Sequence, residues 1–286
     1  MTKRAKEKHL RGIRKCMFCS QSGGMSKEHV FGEWLKPHFP RSPNVKHESV
    51  NFSYADDDRN RPVGTRRLKQ GHSGSVKLRT VCQSCNNEWL SRLEGRVKPI
   101  LPALIYGKKL GLLPEAQATL ATWATKTVMV ATQRRPNDAL VPQAERTWLM
   151  DNLAPPKNWF VWFAAYHGGA WSNLRMLTHA ATLEASSVVE ENSPADYVIN
   201  SVFGMGHVVF CVVNTSSPGV MARCTGLESK EGLFQLWPPH ARSIPWPPFR
   251  IIGEALADSL VHILHDANIV HDPNPTKVSA KTAFTT

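Results

Sequence analysis

The 286-residue chain has no apolar run long enough to cross a bilayer. About 18 consecutive apolar residues are needed for that, and the longest stretch, residues 159–166, has only the length of a strand. The first residues, MTKRAKEKHLRGIRK, are basic with no apolar segment behind them, so they do not read as a secretory leader. Acidic residues are scarce in the first third. Residues 1–100 hold 21 Lys/Arg against nine Asp/Glu, whereas residues 101–286 hold 14 of each. The whole formal charge of +12 therefore belongs to the first hundred residues. A field of one sign confined to one segment points to a polyanionic partner, nucleic acid or an anionic membrane face. Apolar content is not lacking. A hydrophobic fraction of 42%, with nine Trp and eleven Phe, excludes wholesale disorder. A cytoplasmic globular protein with no membrane partner is expected, of one large or two ordinary domains. In a reducing compartment its six cysteines read as metal ligands or buried thiols, not disulfides.

The text along the chain divides four ways. Residues 1–14 form a basic arm. Residues 15–100 hold the cysteine pairs and the rest of the excess charge, residues 101–271 an α+β region, and residues 272–286 a loose tail. Residues 38–75 are polar with no clear period, which suggests a long loop or insertion. Order returns with the alternating, β-branched VKLRTV, a strand signal. After CQSC, Trp89, Leu90, Leu93 and Val97 take helical spacing, stopped by Pro99. EAQATLATWATKTVMVATQ reads as an amphipathic or buried helix, NWFVWFAAY, GHVVFCVV and GLFQLW as strands, and 254–266 as a last helix.

Four cysteines form two CxxC pairs, Cys16/Cys19 and Cys82/Cys85. A CxxC turn sets two thiolates at two vertices of a zinc tetrahedron, and two such turns close a four-thiolate structural site. The gap is unusual: 62 residues separate Cys19 from Cys82, where a plain zinc ribbon has roughly 15–20. Zinc therefore staples a larger unit, whose chemistry lies between the knuckles. There stands Ser26-Lys27-Glu28-His29-Val30, and Asn86-Asn87-Glu88-Trp89 follows the last cysteine of the second pair.

CxxC, EHV, CxxCN and a Trp-containing helix over about residues 14–98 resemble the HNH endonuclease family, in its zinc-knuckle bacterial or phage form. The resemblance implies an α+β chain: an N-terminal ββα-metal (HNH) zinc-stapled domain followed by an α+β C-terminal module. It implies a magnesium or manganese ion that assists hydrolysis of DNA phosphodiester bonds, in defence, restriction or a mobile element. His29 would be the general base, Glu28 a carboxylate ligand, and Asn86 an oxygen ligand from the first helical turn, with Asn87 one register away. An imidazole near pKa 6.5 suits proton abstraction from water at neutral pH, and hard oxygens suit magnesium. The family's middle residue, which orients the base, falls at Lys77, with Asn44, Asn51, Asn60 and His72 as substitutes from the insert. Lys77, Arg79, Arg66, Arg67 and Arg92 head the basic side chains expected to neutralise phosphates without reading sequence. RNA is the other open substrate, and a homodimer would convert nicking into double-strand cutting. The competing reading is a zinc-ribbon nucleic-acid-binding or interaction protein in which Glu28-His29 is structural. After residue 100, Cys211, Cys224 and Trp159, Trp162, Trp171, Trp237 and Trp246 read as core. Asp56 to Asp58 read as a solvated run, and His262 with His265 as surface residues.

Overall fold

The computed structural model describes residues 14–39, 46–55, 58–70, 73–134, 141–183, 196–225, 232–262, 278–279 and 283–285. The chain mixes helices and strands, as expected of an α+β protein. Two short strands, β1 (Met25–His29) and β4 (Lys77–Cys82), pair antiparallel, with His29 opposite Lys77 and a bulge between Ser26 and Glu28. Cys82 ends β4 and opens a continuous helical run, the knuckle helix, through Gln83–Cys85, a π-helical turn at Asn86–Leu90, and Ser91–Val97.

Between β1 and β4 the expected long loop is instead largely a hairpin, β2 (Lys46–Ala55) and β3 (Asp58–Gln70). The reason is legible in Val50, Phe52 and Tyr54, which alternate with polar residues at the strand period. Pro62 lies on β3, the terminal strand of this sheet among the described residues, the kind of position where proline is tolerated.

The large sheet runs, in order, β10 (Phe234–Trp237), β6 (Trp159–Tyr166), β9 (Val208–Thr215), β8 (Asp196–Met205), β7 (Arg175–Leu183), β14 (Ala283–Thr285), β2 and β3. Its centre is the meander β7, β8 and β9, with β6 on β9 and β10 at the edge. Every residue of β6 and of β9 is buried, as a near-continuous apolar run requires when both faces are covered. The β8–β9 turn needs Gly206: its φ is +59°, and a Cβ there would lie 2.2 Å from the Ile105 carbonyl oxygen. The C-terminal residues expected to be a loose tail contribute β13 (Val278–Ser279) on β7 and β14 (Ala283–Thr285) between β7 and β2. Main-chain pairing, which composition does not announce, overrides that expectation. Of the last helix expected over 254–266, the described part is an α-helix at Glu254–Ser259 followed by a 3₁₀ turn at Leu260–His262, and 263–266 lie outside the described residues.

One helix joins these parts. The central helix, Pro114–Thr132, starts with Pro at its first position and is buried on all sides from Leu120 to Thr132. Trp123 packs edge-on against Phe203 and Phe210 of the sheet, both centroids at 6.0 Å, and Phe31, just after β1, meets Phe203 at 5.9 Å. A single apolar core thus includes Phe18, Leu35, Trp89 and Leu93 of the N-terminal part with Trp123, Phe163 and Phe210. A second cluster on the sheet's other face holds Trp162, Trp171, Cys211 and Cys224. Trp159, Trp162, Trp171 and Trp246 are buried and Trp237 half-buried, so these rings serve the core. Among the described residues, no helix is long and apolar enough to cross a membrane.

Candidate metal centre and active site

The first knuckle is a tight turn. The Cys16 amide donates to the Gln21 carbonyl, the Ser20 amide to the Cys16 carbonyl, and Ser20 takes φ +60°. The Met17 amide donates to the Thr80 carbonyl and the Gln83 amide to the Gly24 carbonyl, which pins the turn beside the end of β4. The helix Gln143–Asn152 braces it from outside: Arg146 donates to the Met17 carbonyl at 2.8 Å, and Gln143 and Thr147 both donate to the Phe18 carbonyl at 2.9 Å. Phe18 meets Trp89 edge-to-face at 4.8 Å.

These contacts bring together the four sulfurs 62 residues apart in sequence. Sγ atoms of Cys16, Cys19, Cys82 and Cys85 lie within 4.8 Å of one another, with Cys19 and Cys82 at 3.6 Å. A zinc–thiolate tetrahedron with bonds of about 2.3 Å has sulfur–sulfur edges of about 3.8 Å, so the donor set and spacing fit a structural zinc ion. Burial resists ionisation of Cys82, yet hydrogen bonds from the Ser84 hydroxyl and the Cys85 amide pull its thiol down to about 6. Burial pushes Cys85 and Cys19 up. A metal there must release thiol protons as it binds.

Glu28 and His29 leave β1 in opposite directions, as successive strand residues do. Glu28 is buried against the central helix, where Lys126, with a side chain 0% exposed, places its Nζ 3.2 Å from Glu28 Oε1 and 3.5 Å from Glu94 Oε1 of the knuckle helix. Burial raises the Glu28 carboxyl above its ordinary range, the Lys126 ammonium pulls it back, and Glu94 adds to the rise. Gly32 is required beside this group: a Cβ would stand 2.7 Å from Glu94 Oε1 and 2.4 Å from Trp34 Nε1.

His29 sits nearer the surface, its side chain 12% exposed, with Nε2 lacking a hydrogen-bond partner among the described residues. Glu33 Oε2 is 3.9 Å from His29 Nε2 and also 3.9 Å from Lys77 Nζ, while Lys36 pairs with the other Glu33 oxygen. Burial lowers the His29 pKa; Lys77 and Lys36 push the same way, and Glu33 and Glu94 oppose them. The neutral imidazole is favoured, with an unpartnered nitrogen able to accept a proton.

For a second, catalytic ion the fit is incomplete. Glu28 is engaged by Lys126, and among the described residues the four cysteines are the one cluster of metal-ligating side chains. Asn86 is half-buried in the π-helical turn, and Asn87 is exposed. Lys77, Arg79 and Arg92 are exposed. Arg66 and Arg67 lie on β3 opposite Val50 and Ser49, and Asn51 and Asn60 lie on β2 and β3, but the side chains of all four are outside the described part. Asn44, Asp56, Asp57, His72 and His265 are outside the described residues, as is the side chain of His262.

The spacing rules found the cysteines and the Glu-His pair but missed Lys126, Glu94 and Glu33. Lys126 has a signal: it is the only charge between Glu115 in the helix's first turn and Arg134 beyond its end. A lysine so placed must be paired if the helix is buried. Comparison of the chain with family models, with curated proteins and with solved structures finds no match.

Proposed function

We propose that the chain is a zinc-stapled HNH-type endonuclease that hydrolyses DNA phosphodiester bonds with His29 as general base. The observation that carries this reading is the local architecture around His29: an antiparallel strand pair running into a helix, both tied to one four-cysteine cluster. The unpartnered Nε2 of His29 faces an environment that favours neutral imidazole. Such an imidazole takes a proton from water as it attacks phosphorus. Glu33, on the turn after β1, lies 3.9 Å from both His29 Nε2 and Lys77 Nζ, where its charge would stabilise the imidazolium formed when Nε2 takes the proton.

Glu28 and Glu94, clamped on Lys126, fix the end of β1 and the knuckle helix, and through them His29. A magnesium or manganese ion would supply charge neutralisation at the phosphoryl oxygens. The resemblance assigns Glu28 and Asn86 to that ion, but Glu28 is engaged by Lys126 on the face of β1 away from His29, so these side chains as they stand do not form its site. Exposed Lys77, Arg79 and Arg92 supply phosphate contacts, in keeping with a +12 charge carried by residues 1–100.

The test compares wild-type protein with His29→Ala on a labelled duplex in magnesium or manganese, with duplex affinity and zinc content measured on the same samples. Loss of cleavage with binding and zinc retained is expected. Equal cleavage by both proteins, or binding without cleavage by the wild type across both metals, would instead favour the non-catalytic zinc-ribbon reading.

A further inference from the structure

A cavity of about 490 Å³ lies on the edge of β4 away from β1. Its walls are the first zinc knuckle, β4, the end of the central helix at Gln133, and the start of the helix Gln143–Asn152. Four cations line it, Arg14, Lys15, Arg79 and Arg146, and among the described residues no carboxylate does. Arg146 donates to the Met17 and Val141 carbonyls and to Gln143 Oε1, all neutral acceptors, while Glu145 acts on it through space from outside the cavity lining. Two further lining groups, Thr80 Oγ1 and Gln133 Nε2, are buried with no hydrogen-bond partner among the described residues. Buried polar atoms are nearly always satisfied, so two orphans in one wall mark where a polar ligand or ordered water completes the structure. The excess of cations among the described lining residues makes that ligand an anion.

We infer that this cavity binds a phosphate-bearing group: the phosphodiester of a nucleic-acid strand or the phosphate of a mononucleotide. The volume accommodates a nucleotide, since ligand sites span roughly 300–1,000 Å³. Arg79 and Lys15 at the mouth supply charge, and the Gln133 amide and Thr80 hydroxyl supply donors. The inference goes beyond the nuclease reading, because a phosphate held here is bound whether or not His29 cleaves anything.

The test is direct binding to the full, zinc-loaded chain of three probes: inorganic phosphate, thymidine monophosphate and a twelve-residue oligothymidylate, at low salt. The variants are Gln133→Leu, which removes a donor without changing charge, and Arg79→Glu, an exposed site that keeps the fold if the first variant does not. Lys157→Glu, an exposed charge outside the cavity, is the control for general field effects. Each cavity variant should weaken binding at least about tenfold, the scale of a lost charge-assisted hydrogen bond. Lys157→Glu and His29→Ala should stay within about twofold. Binding of the oligonucleotide alone identifies a strand phosphodiester, and comparable binding of the monophosphate identifies a free phosphate monoester. Failure of all three probes to bind, wild-type affinity in both cavity variants, or equal loss in Lys157→Glu overturns the inference.

Discussion

The basic first third and the neutral remainder are held together by different forces. In the remainder, β6 and β9 bury all their residues between two apolar clusters, and stability comes from apolar area removed from water. In the first third, β1 and β4 are five and six residues long, a two-stranded pair that is marginal alone. A four-thiolate cluster, a docked helix and a buried ion-pair group do the work there. The segment that carries the candidate chemistry is therefore the one whose fold depends on the other and on a metal. Arg79 and Arg92, exposed on that segment, are the cations the proposed function assigns to a polyanion.

The comparison breaks most visibly when the metal is removed. Cys82→Ser, or chelation, should unfold residues 14–98 while the β6–β9 ladders keep their hydrogen-exchange protection. The loss is on the order of 10 kcal/mol, the scale of structural zinc. Thiol labelling at pH 8 should then expose four cysteines and not six. Burial pushes Cys224 up to about 12 and raises Cys211 as well, so both stay protonated and unreactive.

Next comes the link between the two regions. Lys126→Met leaves Glu28 and Glu94 buried without their cation and should cost about 3–5 kcal/mol in chemical denaturation. Adding Glu28→Gln and Glu94→Gln should recover part of that loss, because the three side chains act as a unit. Simple additivity of the three losses would count against a shared ion-pair group.

Smaller effects separate surface charge from fold. Arg92→Ala should weaken DNA binding uniformly across sequences and reduce the salt-dependence slope by about 1, with no change in melting temperature. Smallest of all, Glu33→Gln should leave the melting temperature essentially unchanged, since its ion pairs are exposed. Its effect should fall on His29-dependent turnover. A large loss of stability would move Glu33 from the site to the scaffold.

The cysteine cluster was legible because zinc chemistry fixes ligand type and local spacing, and CxxC carries both. The strand VKLRTV and the central helix were legible by period. The β2–β3 hairpin was hidden by its charge, although Val50, Phe52 and Tyr54 alternate as a strand should. The Glu28–Lys126–Glu94 group was hidden for another reason. Its members are 98 and 32 residues apart, and nothing local says that a buried lysine on one helix will meet a carboxylate from a strand. Glu28 looked like half of a catalytic pair because adjacency in sequence suggested a shared role. Alternation along β1 sends the two side chains opposite ways, Glu28 into the core and His29 toward solvent.

The most direct measurement is the conversion of supercoiled plasmid to nicked or linear forms by zinc-loaded protein in magnesium and in manganese, wild type beside His29→Ala. The account predicts conversion by the wild type and none above background by the variant, with equal zinc content and equal melting temperature. Conversion that survives in His29→Ala, or no conversion by the wild type in either metal, would contradict it.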